Sequence, residues 1–570
     1  MRRRDLPFAL LAAAAMPPFF TSACDSTETP QADEAPQPDV TPQADEVPQA
    51  DETPQADYYP RTLNETTAGV SPKNYAAPPG SWRRYGADPT GQADSTSAIA
   101  AACLANPTAF DDVGGSYRVS GAIHIPSGCA VSGIVGRTQI LMDNPDTSLL
   151  VAISTAGVIV EGIRFLVTAP SLRASMGVVV FFNSSGGHCR HCDFSGFSWA
   201  GVWIYDSTNC EVTQCTFHDA GGSVQDSADI CIYNNSHDNV VSHNDCFGGN
   251  YHGILIQDPY NNALPSRNVV THNAVANHLA YGICVYLPDA GDTYNRIVGN
   301  KVEGIRGSPF RGASGSGIYV VGAGAGGTVI DGNSVASCCL ETFARIESPG
   351  AIGVHGLTAS NASVSIVRNV VSQMARYDGI ILVLSQAEVT IVDNRVMLLA
   401  GNVEGTPIRV DTSSNVLVKA NHVSRPTSDG RCILVYASGG IAANVTVSGN
   451  TCLGGNYNQI DFLADLDGAF ASLTCEGNLC TEGGVARSAV SINASSVRGG
   501  VIRGNRCNSV NAVALRLIDT VDCVISGNTF NSGGPVSVAA SGDCHGTYYA
   551  SDNKQNGKIL NSAMGLDVGP

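Results

Sequence analysis

Carboxylic acids recur at the ends of short apolar runs between residues 219 and 289, with a spacing suited to acid and base chemistry. Two carboxylates can cleave a glycosidic bond when one donates a proton to the leaving oxygen and the other activates water. Asp226 or Asp229, with Asp258 on the next repeat, would provide such a pair. Each acid could equally be an ordinary surface residue, since exposed aspartate is common.

Histidine and tyrosine in the same stretch offer a second chemistry. A uronic acid polymer is cleaved by elimination when a base removes a ring proton beside a neutralised carboxylate. His252 with Tyr281 or Tyr233 would supply the base and its partner. The predicted catalytic residues are therefore Asp226, Asp229, His252, Asp258 and Tyr281.

Five strand-like runs of alternating Ile or Val can be aligned with one another. They are Gly201–Tyr205, Asp229–Tyr233, Gly253–Gln257, Gly282–Tyr286 and Gly317–Val321. Strand alternation would direct two neighbouring columns of their side chains outward. One column holds Tyr205, Tyr233, Gln257 and Tyr286, and the other holds Trp203 and Tyr319. Such rows offer apolar surfaces to sugar rings, which makes these six residues predicted substrate-binding residues, or they only stiffen the sheet.

A recurring asparagine indicates which elements would position these residues. It follows a short β-rich run at intervals of 23 to 36 residues, at Asn244, Asn273, Asn300, Asn333, Asn369, Asn394, Asn421, Asn450, Asn478, Asn505 and Asn528. One unit is therefore repeated, and because it cannot bury its apolar face alone, the units must stack as coils of a parallel β-helix. We expect this asparagine at a corner, because it tolerates left-handed backbone and its amide can bond the coils above and below.

The composition fits a narrow β-core and excludes one class of partner. The chain of 570 residues has 62 glycines and only 6% aromatic residues, which suits tight turns and stacked coils. Its net charge is −18, and residues 62–570 alone carry 28 basic and 39 acidic side chains, a net charge of −11. A nucleic-acid partner needs a basic surface, so we expect none.

The first residues are typical of an export signal. Three arginines at positions 2–4 precede the apolar stretch Leu6–Phe20, which is too short to span a membrane. The segment resembles a bacterial lipoprotein signal, with Cys24 as the lipidated residue, although Thr21 stands where that pattern usually has Leu. It implies a protein anchored at the bacterial cell surface or in the periplasm, and ordinary secretion after Ala23 is the alternative.

Cysteine usage leaves two structural interpretations open. Of 19 cysteines, 18 remain without Cys24, an even number that is compatible with disulfides outside the cytosol. Four of them lie two residues after a recurring asparagine, where a buried thiol stack is the alternative: Cys246, Cys452, Cys480 and Cys507. Cys189-Arg-His-Cys192 has no second cysteine pair at zinc-site spacing, so we predict no metal ligands there.

The segment RRYGADPTGQADSTSAIAAACLANPTAF, residues 83–110, resembles the first segment of pectate-lyase-like right-handed β-helix proteins. Its matching positions are Gly86, Ala87, Asp88, Gly91, Asp94, Ser95, Ala98 and Ile99. The resemblance implies an all-β, right-handed parallel β-helix with an N-terminal capping helix, which Asp94 or Ser95 would N-cap. That superfamily includes polysaccharide lyases, glycoside hydrolases, epimerases and phage tailspikes, so the resemblance implies an architecture more than one activity.

Two shorter stretches resemble particular enzymes in part. Residues 228–256 are similar to the region of polygalacturonase-type glycoside hydrolases with Asp-Asp and Gly-His-Gly motifs, which places Asp229 on the second aspartate and His252 on the histidine. Ala228 replaces the first aspartate. Residues 258–282 are similar to the Asp-Pro-His-Glu region of mannuronan C5-epimerases, with Tyr260 in place of the histidine.

The chain is therefore predicted to have five parts. They are an export signal at 1–23, a disordered Pro/Gln/Ala/Asp/Glu tether at 24–61, a first strand and capping helix at 62–115, a parallel β-helix at 116–545 and a C-terminal tail at 546–570. The tether is expected to stay extended because its acidic, proline-rich repeats have nothing to bury.

These patterns favour an exported enzyme that cleaves or modifies an acidic or cell-surface polysaccharide, as a lyase or a hydrolase. A non-catalytic carbohydrate-binding adhesin and a uronan C5-epimerase are the alternatives. Calcium is a candidate cofactor, because an acidic patch can hold it and neutralise a uronate carboxylate, although no ligand loop is recognisable.

Overall fold

Each sequence repeat folds into one coil of short strands, and successive coils stack along the chain. The strands are rich in Val and Ile, whose branched side chains pack well on a pleated surface. The computed structural model describes residues 58–143, 148–168, 177–220, 227–248, 251–258, 264–288, 291–307, 313–340, 350–356, 363–374, 376–383, 388–402, 405–411, 414–425, 430–437, 440–455, 457–465, 467–483, 490–509 and 513–569.

Three long sheets, here named sheets I, II and III, make up the solenoid. Sheet I consists of Ile123–His124, Leu150–Ile153, Gly177–Phe182, Ala200–Tyr205, Ala228–Tyr233, His252–Gln257, Tyr281–Tyr286, Ile318–Val321, Gly350–His355, Asp378–Val383, Ile408–Asp411, Ile433–Ala437, Asn458–Ala464, Val490–Ser495, Val513–Ile518, Val536–Ser541 and Lys558–Asn561. Sheet II consists of Thr108–Phe110, Ala130–Ser132, Ile159–Glu161, His188–Arg190, Glu211–Thr213, Val240–Ser242, Val269–Thr271, Arg296–Val298, Thr328–Asp331, Ser363–Val367, Glu388–Val392, Val416–Lys419, Val445–Ser448, Thr474–Glu476, Val501–Arg503, Val524–Ser526, Tyr548–Tyr549 and Asp567–Val568. Sheet III consists of Thr90–Asp94, Ser116–Val119, Gln139–Met142, Arg164–Val167, Asp193–Ser195, Thr216–His218, Asp245–Phe247, Ala274–Ala276, Lys301–Glu303, Ser334–Ala336, Val370–Met374, Arg395–Leu398, His422–Arg425, Thr451–Gly454, Leu479–Gly483, Arg506–Ser509, Thr529–Ser532 and Lys554–Gln555. A small fourth sheet pairs Ile441–Ala443, Ala469–Ala471 and Val497–Arg498.

Strands of successive coils are parallel and in register, so equivalent residues form columns along the solenoid. In sheet I, one such column holds Val202, Ile230, Ile254 and Ile283. All four side chains are fully buried in the apolar core. Each coil therefore buries its apolar face against its neighbours, as stacking requires.

The recurring asparagines form the expected ladder of hydrogen bonds between coils. The Nδ2 of Asn394 donates to the carbonyl of Ile366 on one side and to Oδ1 of Asn421 on the other, at 2.8 and 3.0 Å. Asn421 Oδ1 also accepts the backbone N–H of Asn394. The ladder continues to Asn553, one coil beyond the last member found in the sequence.

The left-handed residue of each corner is the one before the asparagine rather than the asparagine itself. His243, Arg368 and Asp393 have φ values of 55°, 54° and 57°, whereas the ladder asparagines have no positive φ. The asparagine is required for its amide, which bridges the coils, and glycine fills the left-handed position in several other coils, for example at Gly299. The structural role predicted for the asparagine is confirmed, but its backbone conformation was predicted wrongly.

All 18 cysteines of the described residues are buried free thiols. Cys452, Cys480 and Cys507 occupy one register position on three successive coils of sheet III. The structure therefore has a thiol stack at this position, which was one of the two interpretations of the sequence.

The N-terminal segment covers the first coil with two helices, α1 at Leu63–Thr67 and α2 at Thr96–Ala105, and a 3₁₀ turn at Trp82–Tyr85. Ser95 occupies the N-cap position of α2, but it is Asp94 whose Oδ1 accepts the backbone N–H of Thr96. Helix α2 buries Ala98, Ile99 and three further small or apolar side chains against the core, while Leu104 faces solvent. A second 3₁₀ turn lies at Ala323–Ala325.

The last residues continue the solenoid. The stretch 546–570, expected from sequence to be a tail, contains Tyr548–Tyr549, Lys554–Gln555, Lys558–Asn561 and Asp567–Val568, and each of these strands pairs with a preceding coil. The predicted fold class, an all-β parallel β-helix with an N-terminal capping helix, is confirmed. No helix within the described residues has the length and apolar character that crossing a membrane requires.

Candidate functional site

The outer face of sheet I carries three columns of side chains, here named the start, middle and end columns. In each strand, positions are counted from the residue of the buried column that contains Val202 and Ile230. The start-column residue lies two positions before it, the middle-column residue one position after it, and the end-column residue three positions after it. The start column includes Ala228, His252, Tyr281, Gly350 and Asp378. The middle column includes Trp203, Cys231, Leu255, Cys284, Tyr319, Gly353, Ile381 and Arg409. The end column includes Tyr205, Tyr233, Gln257, Tyr286, Val321, His355 and Asp411.

The register of sheet I is the one expected from sequence, because the Gly-Ile runs align as predicted. Tyr205, Tyr233 and Gln257 share the end column, and Trp203 shares the middle column with Tyr319. Their exposure differs, however. Tyr233, Gln257 and Tyr319 are buried, Trp203 and Tyr205 are partly exposed, and Tyr286 is 39% exposed. Only the last three can offer ring surface to a ligand.

Histidine and tyrosine rings form a diagonal stack across this face. His252 and Tyr281 are stacked with centroids 5.4 Å apart, and Tyr281 and Tyr319 with centroids 4.4 Å apart. His355 lies 5.1 Å beyond Tyr319. Gly353 makes room for that contact, since a Cβ there would lie 3.1 Å from Tyr319 Cδ2 and 3.4 Å from His355 Nε2. The predicted pair His252 and Tyr281 is thus brought together.

Both histidines of the stack are neutral at ordinary pH. Burial lowers the pKa of His252 to about 3, and His278 lowers it further in the same direction. Burial, with the positive charge of Arg409, lowers the pKa of His355 to about 4. Among the described residues, neither His252 Nδ1 nor His355 Nε2 has a hydrogen-bond partner. His252, Tyr281 and Tyr319 are buried, whereas His355, at the end of the stack, is partly exposed.

One ring on this face is turned differently from its neighbours. Phe182 and Tyr205 of adjacent coils are stacked with centroids 4.9 Å apart and planes 6° apart, so both planes lie across the solenoid axis. Trp203 is turned by 80° relative to Tyr205 and by 77° relative to Trp199. Its indole plane therefore runs along the axis, and its side chain is partly exposed.

Asp229 points into the solenoid, which corrects its prediction as a catalytic residue of the outer face. It lies in the column of Gly201, Gly253 and Gly282, at a bend where the strand alternation is interrupted. A Cβ at Gly253 would meet Val275 in the core. Asp229 is accordingly 1% exposed, with Oδ2 3.5 Å from Nε2 of the buried His278.

Asp258 does not pair with Asp229. Asp258 is fully buried just beyond the end of its strand, about 16 Å along the strand direction from the level of Asp229. Asp226, Tyr260 and Asp289 lie outside the described residues, as does Cys24. Asp219 pairs with His218 at the end of a strand of sheet III, on another face.

A carboxylate–arginine cluster lies on the same outer face, three to four coils beyond Tyr281, and was missed in the sequence. It consists of Asp378, Arg409 and Asp411, in the start, middle and end columns. Arg409 donates from Nε and Nη2 to the two oxygens of Asp411, at 2.9 and 2.7 Å, and its Nη1 lies 3.8 Å from Asp378 Oδ2. The alignment of Gly-Ile runs in the sequence ended with the run that begins at Gly317. The runs DGIILV, residues 378–383, and PIRVD, residues 407–411, continue the same pattern, so a longer alignment would have included all three residues of the cluster.

A further ion pair follows two coils later. Arg431 Nε donates to Asp461, whose other oxygen accepts from Asn493 Nδ2 at 2.8 Å. The guanidinium of Arg431 also lies over the ring of Tyr457, 5.2 Å from its centroid. The outer face of sheet I thus changes from aromatic to charged along the chain.

Three sulfur atoms come together in the core near the start of the ladder. Cys189, Cys192 and Cys215 have Sγ atoms within 4.8 Å of one another, the only group of three or more potential metal ligands found among the described residues. Cys215 adds a third sulfur to the pair seen in the sequence. Sulfur does not suit calcium, which prefers oxygen ligands, so calcium binding remains a prediction.

The family described as right handed beta helix region matches residues 156–335 and 297–465, together more than half of the chain. No curated protein matches the chain.

Several solved structures are similar to the chain at low identity. The catalytic unit of a thermostable GH87 α-1,3-glucanase from Streptomyces thermodiastaticus is 14% identical, with 86% of this chain and 70% of that chain covered and a TM-score of 0.35. PfbA, a surface adhesin of Streptococcus pneumoniae, is 13% identical, with 69% and 93% covered and a TM-score of 0.37. The tailspike of Escherichia coli bacteriophage HK620, in complex with a pentasaccharide, is 12% identical, with 86% and 80% covered and a TM-score of 0.40. These likenesses are distant, so the chemistry of the site must be argued from the residues of this chain.

Proposed function

We propose that this chain, which belongs to the right-handed β-helix family, binds a polysaccharide lengthwise along the outer face of sheet I and cleaves or modifies it there. The observation that carries the proposal is the partly exposed side chain of Trp203 beside the Phe182–Tyr205 stack. The apolar C–H face of a sugar ring is complementary to such an aromatic surface.

The extent of the face favours a polymer over a small ligand. Its columns continue from the exposed rings to the carboxylate–arginine cluster and the Arg431–Asp461 pair. Aromatic rings would bind sugar rings by stacking, and the charged groups would bind hydroxyl or carboxylate groups by hydrogen bonds. An acidic or cell-surface glycan fits this combination.

Replacing Trp203 with alanine is expected to weaken polysaccharide binding by about 10-fold to 100-fold, because burying an aromatic side chain against a ligand contributes about 1.5–3 kcal/mol. Binding is measured by affinity electrophoresis of the full chain in gels that contain polygalacturonate, alginate, xylan or dextran. Reducing ends and unsaturated-uronate absorbance are followed on the same four polymers.

Tyr548→Ala is the matched control, because Tyr548 is 39% exposed on sheet II, away from the proposed face. It should bind as the wild type does. Equal loss in both variants, or no retardation of the wild type in any gel, would contradict the proposal. Retardation with no new products would favour the adhesin alternative, and inversion at C5 without cleavage would favour the epimerase.

Export belongs to the same proposal. A polysaccharide of a cell surface is reached from outside the cytosol, and the apolar run Leu6–Phe20, shortly before Cys24, is typical of an export signal. Anchoring through Cys24 would hold the solenoid at the membrane by an acidic tether.

A further inference from the structure

The two carboxyl groups of the carboxylate–arginine cluster differ in their surroundings. Asp411 is bound to Arg409 by two hydrogen bonds, so it is the member held in an ion pair. Asp378 is 5% exposed and lies beyond hydrogen-bonding distance of the same guanidinium, and its Oδ1 accepts the backbone N–H of Thr406. Two carboxyl groups whose surroundings differ in this way are suited to different proton-transfer roles.

The cluster also lies where a bound polysaccharide would pass. Arg409 shares the middle column with Trp203, and its side chain, which contacts both carboxyl groups, is 27% exposed. His355, the last ring of the aromatic stack, lies close enough to Arg409 for that positive charge to lower the pKa of the imidazole. Nε2 of His355 has no hydrogen-bond partner among the described residues. The middle-column residues between Trp203 and Arg409 are buried, whereas Tyr205, Tyr286, Val321 and His355 of the end column are at least partly exposed. A sugar chain that follows the end column from Tyr205 would therefore reach Asp411 and Arg409.

We propose that Asp378 and Asp411 are the catalytic carboxyl groups of this face and that the reaction is hydrolysis of a glycosidic bond. This inference rests on the proposed function, which supplies the polysaccharide.

The two carboxyl groups would act as the acid and the base of a single hydrolytic step. Asp378 donates its proton to the glycosidic oxygen as the bond from that oxygen to the anomeric carbon breaks. A water oxygen forms a bond to the anomeric carbon, and Asp411 accepts the proton that this water loses. Solvent then returns a proton to Asp378 and removes one from Asp411, which restores both groups. Arg409 keeps the two carboxyl groups apart and in place.

The state of Asp378 predicts a pH dependence. Burial raises the pKa of Asp378 to about 7, and Arg409 opposes that shift. The charged and titratable groups around it are Arg409, Asp411, Arg425 and Cys339, with His355 next to Arg409. Because the acid must carry its proton, kcat/KM for hydrolysis should fall as the pH rises through about 7.

The test compares Asp378→Asn, Asp411→Asn and a control variant in the full chain, with the four polymers named above as probes. Asparagine can accept the same hydrogen bond from Thr406 but cannot donate a proton as an acid, so Asp378→Asn should lower the production of reducing ends by about 10²–10⁴-fold. Binding in the affinity gels should stay within threefold of the wild type. Asp331→Asn is the control, because Asp331 forms a similar two-bond pair with Arg368 on sheet II.

The possible outcomes distinguish a failure of this inference from a failure of the proposed function. Loss of hydrolysis in both site variants, with binding retained and the control fully active, supports it. Full activity of Asp378→Asn, a flat pH profile of the wild type between pH 5 and 9, or products that absorb as unsaturated uronates would overturn it while leaving polysaccharide binding in place. The pH profile needs no variant, so the inference is decided even if one substitution prevents folding. Absence of binding in every gel would instead reject the proposed function.

Discussion

Replacing Glu65 with alanine is expected to lower the free energy of unfolding by about 3–5 kcal/mol, because it leaves a guanidinium buried without its partner. Arg84 Nε donates to Glu65 Oε1 at 2.6 Å and its Nη2 donates to Oε2 at 3.1 Å. Both side chains are fully buried. Tyr85 Oη and the backbone N–H of Thr62 also donate to the same carboxylate.

The pKa of the Glu65 carboxyl group predicts independently how large this stabilisation is and how it depends on pH. Burial alone would raise the pKa of Glu65, but the hydrogen bonds from Arg84, Thr62 and Tyr85 outweigh burial and lower it from 4.5 to about 2. A lowered pKa means that the folded state favours the ionised form, which corresponds to about 3 kcal/mol. This stabilisation is present above pH 4.5 and is lost as the pH falls from about 4.5 to 2.

The measurement is the midpoint of unfolding in guanidinium chloride at pH 7 for the wild type and Glu65→Ala. Asp331→Ala is the control, because it breaks an ion pair whose arginine, Arg368, is 66% exposed, and such pairs contribute about 1 kcal/mol or less. If both variants lose the same small amount of stability, the buried pair does not hold the N-terminal segment as described.

Replacing a ladder asparagine is expected to cost about 3 kcal/mol. Asn394 Nδ2 donates to the carbonyls of Ile366 and Val392 and to Oδ1 of Asn421, and its own Oδ1 accepts from the backbone and the side chain of Asn369. Asn394→Ala would leave several of these buried groups without partners, and each orphaned group costs about 1–3 kcal/mol unless the coils relax.

The comparison for Asn394→Ala is Asn531→Ala, which also removes an asparagine bond between coils, but one at the exposed surface. The control should change the melting temperature little, since an exposed hydrogen bond is replaced by bonds to water. If Asn394→Ala lowers the melting temperature no more than Asn531→Ala does, the buried amides of the ladder contribute no more to stability than the exposed one.

Most of the fold could be predicted because the repeat itself carries the information. Each coil has the same short Val- and Ile-rich runs and the same corner, so Asn244 or Asn450 marks its coil wherever the loops differ in length. The alignment of Trp203 with Tyr319 followed directly, because in-register parallel strands leave no other register for the apolar residues.

The site was predicted less well, for reasons that are local. Simple strand alternation placed Asp229 outward, but the strand bends there and the position faces inward, as the glycines of neighbouring coils indicate. Burial of Tyr233 and Tyr319 depends on the packing of rings on neighbouring coils, which no single run reveals. Asp378 and Asp411 belong to the same columns and could have been found by extending the alignment.

The constant rise of the coils gives the outer face a fixed scale. Trp203 and Arg409 share one column and are seven coils apart. At about 4.8 Å per coil, that separation is about 34 Å. If a polysaccharide binds as proposed, a disaccharide is too short to contact both residues, and simultaneous contact with the tryptophan and the carboxyl groups requires an oligomer of many sugars.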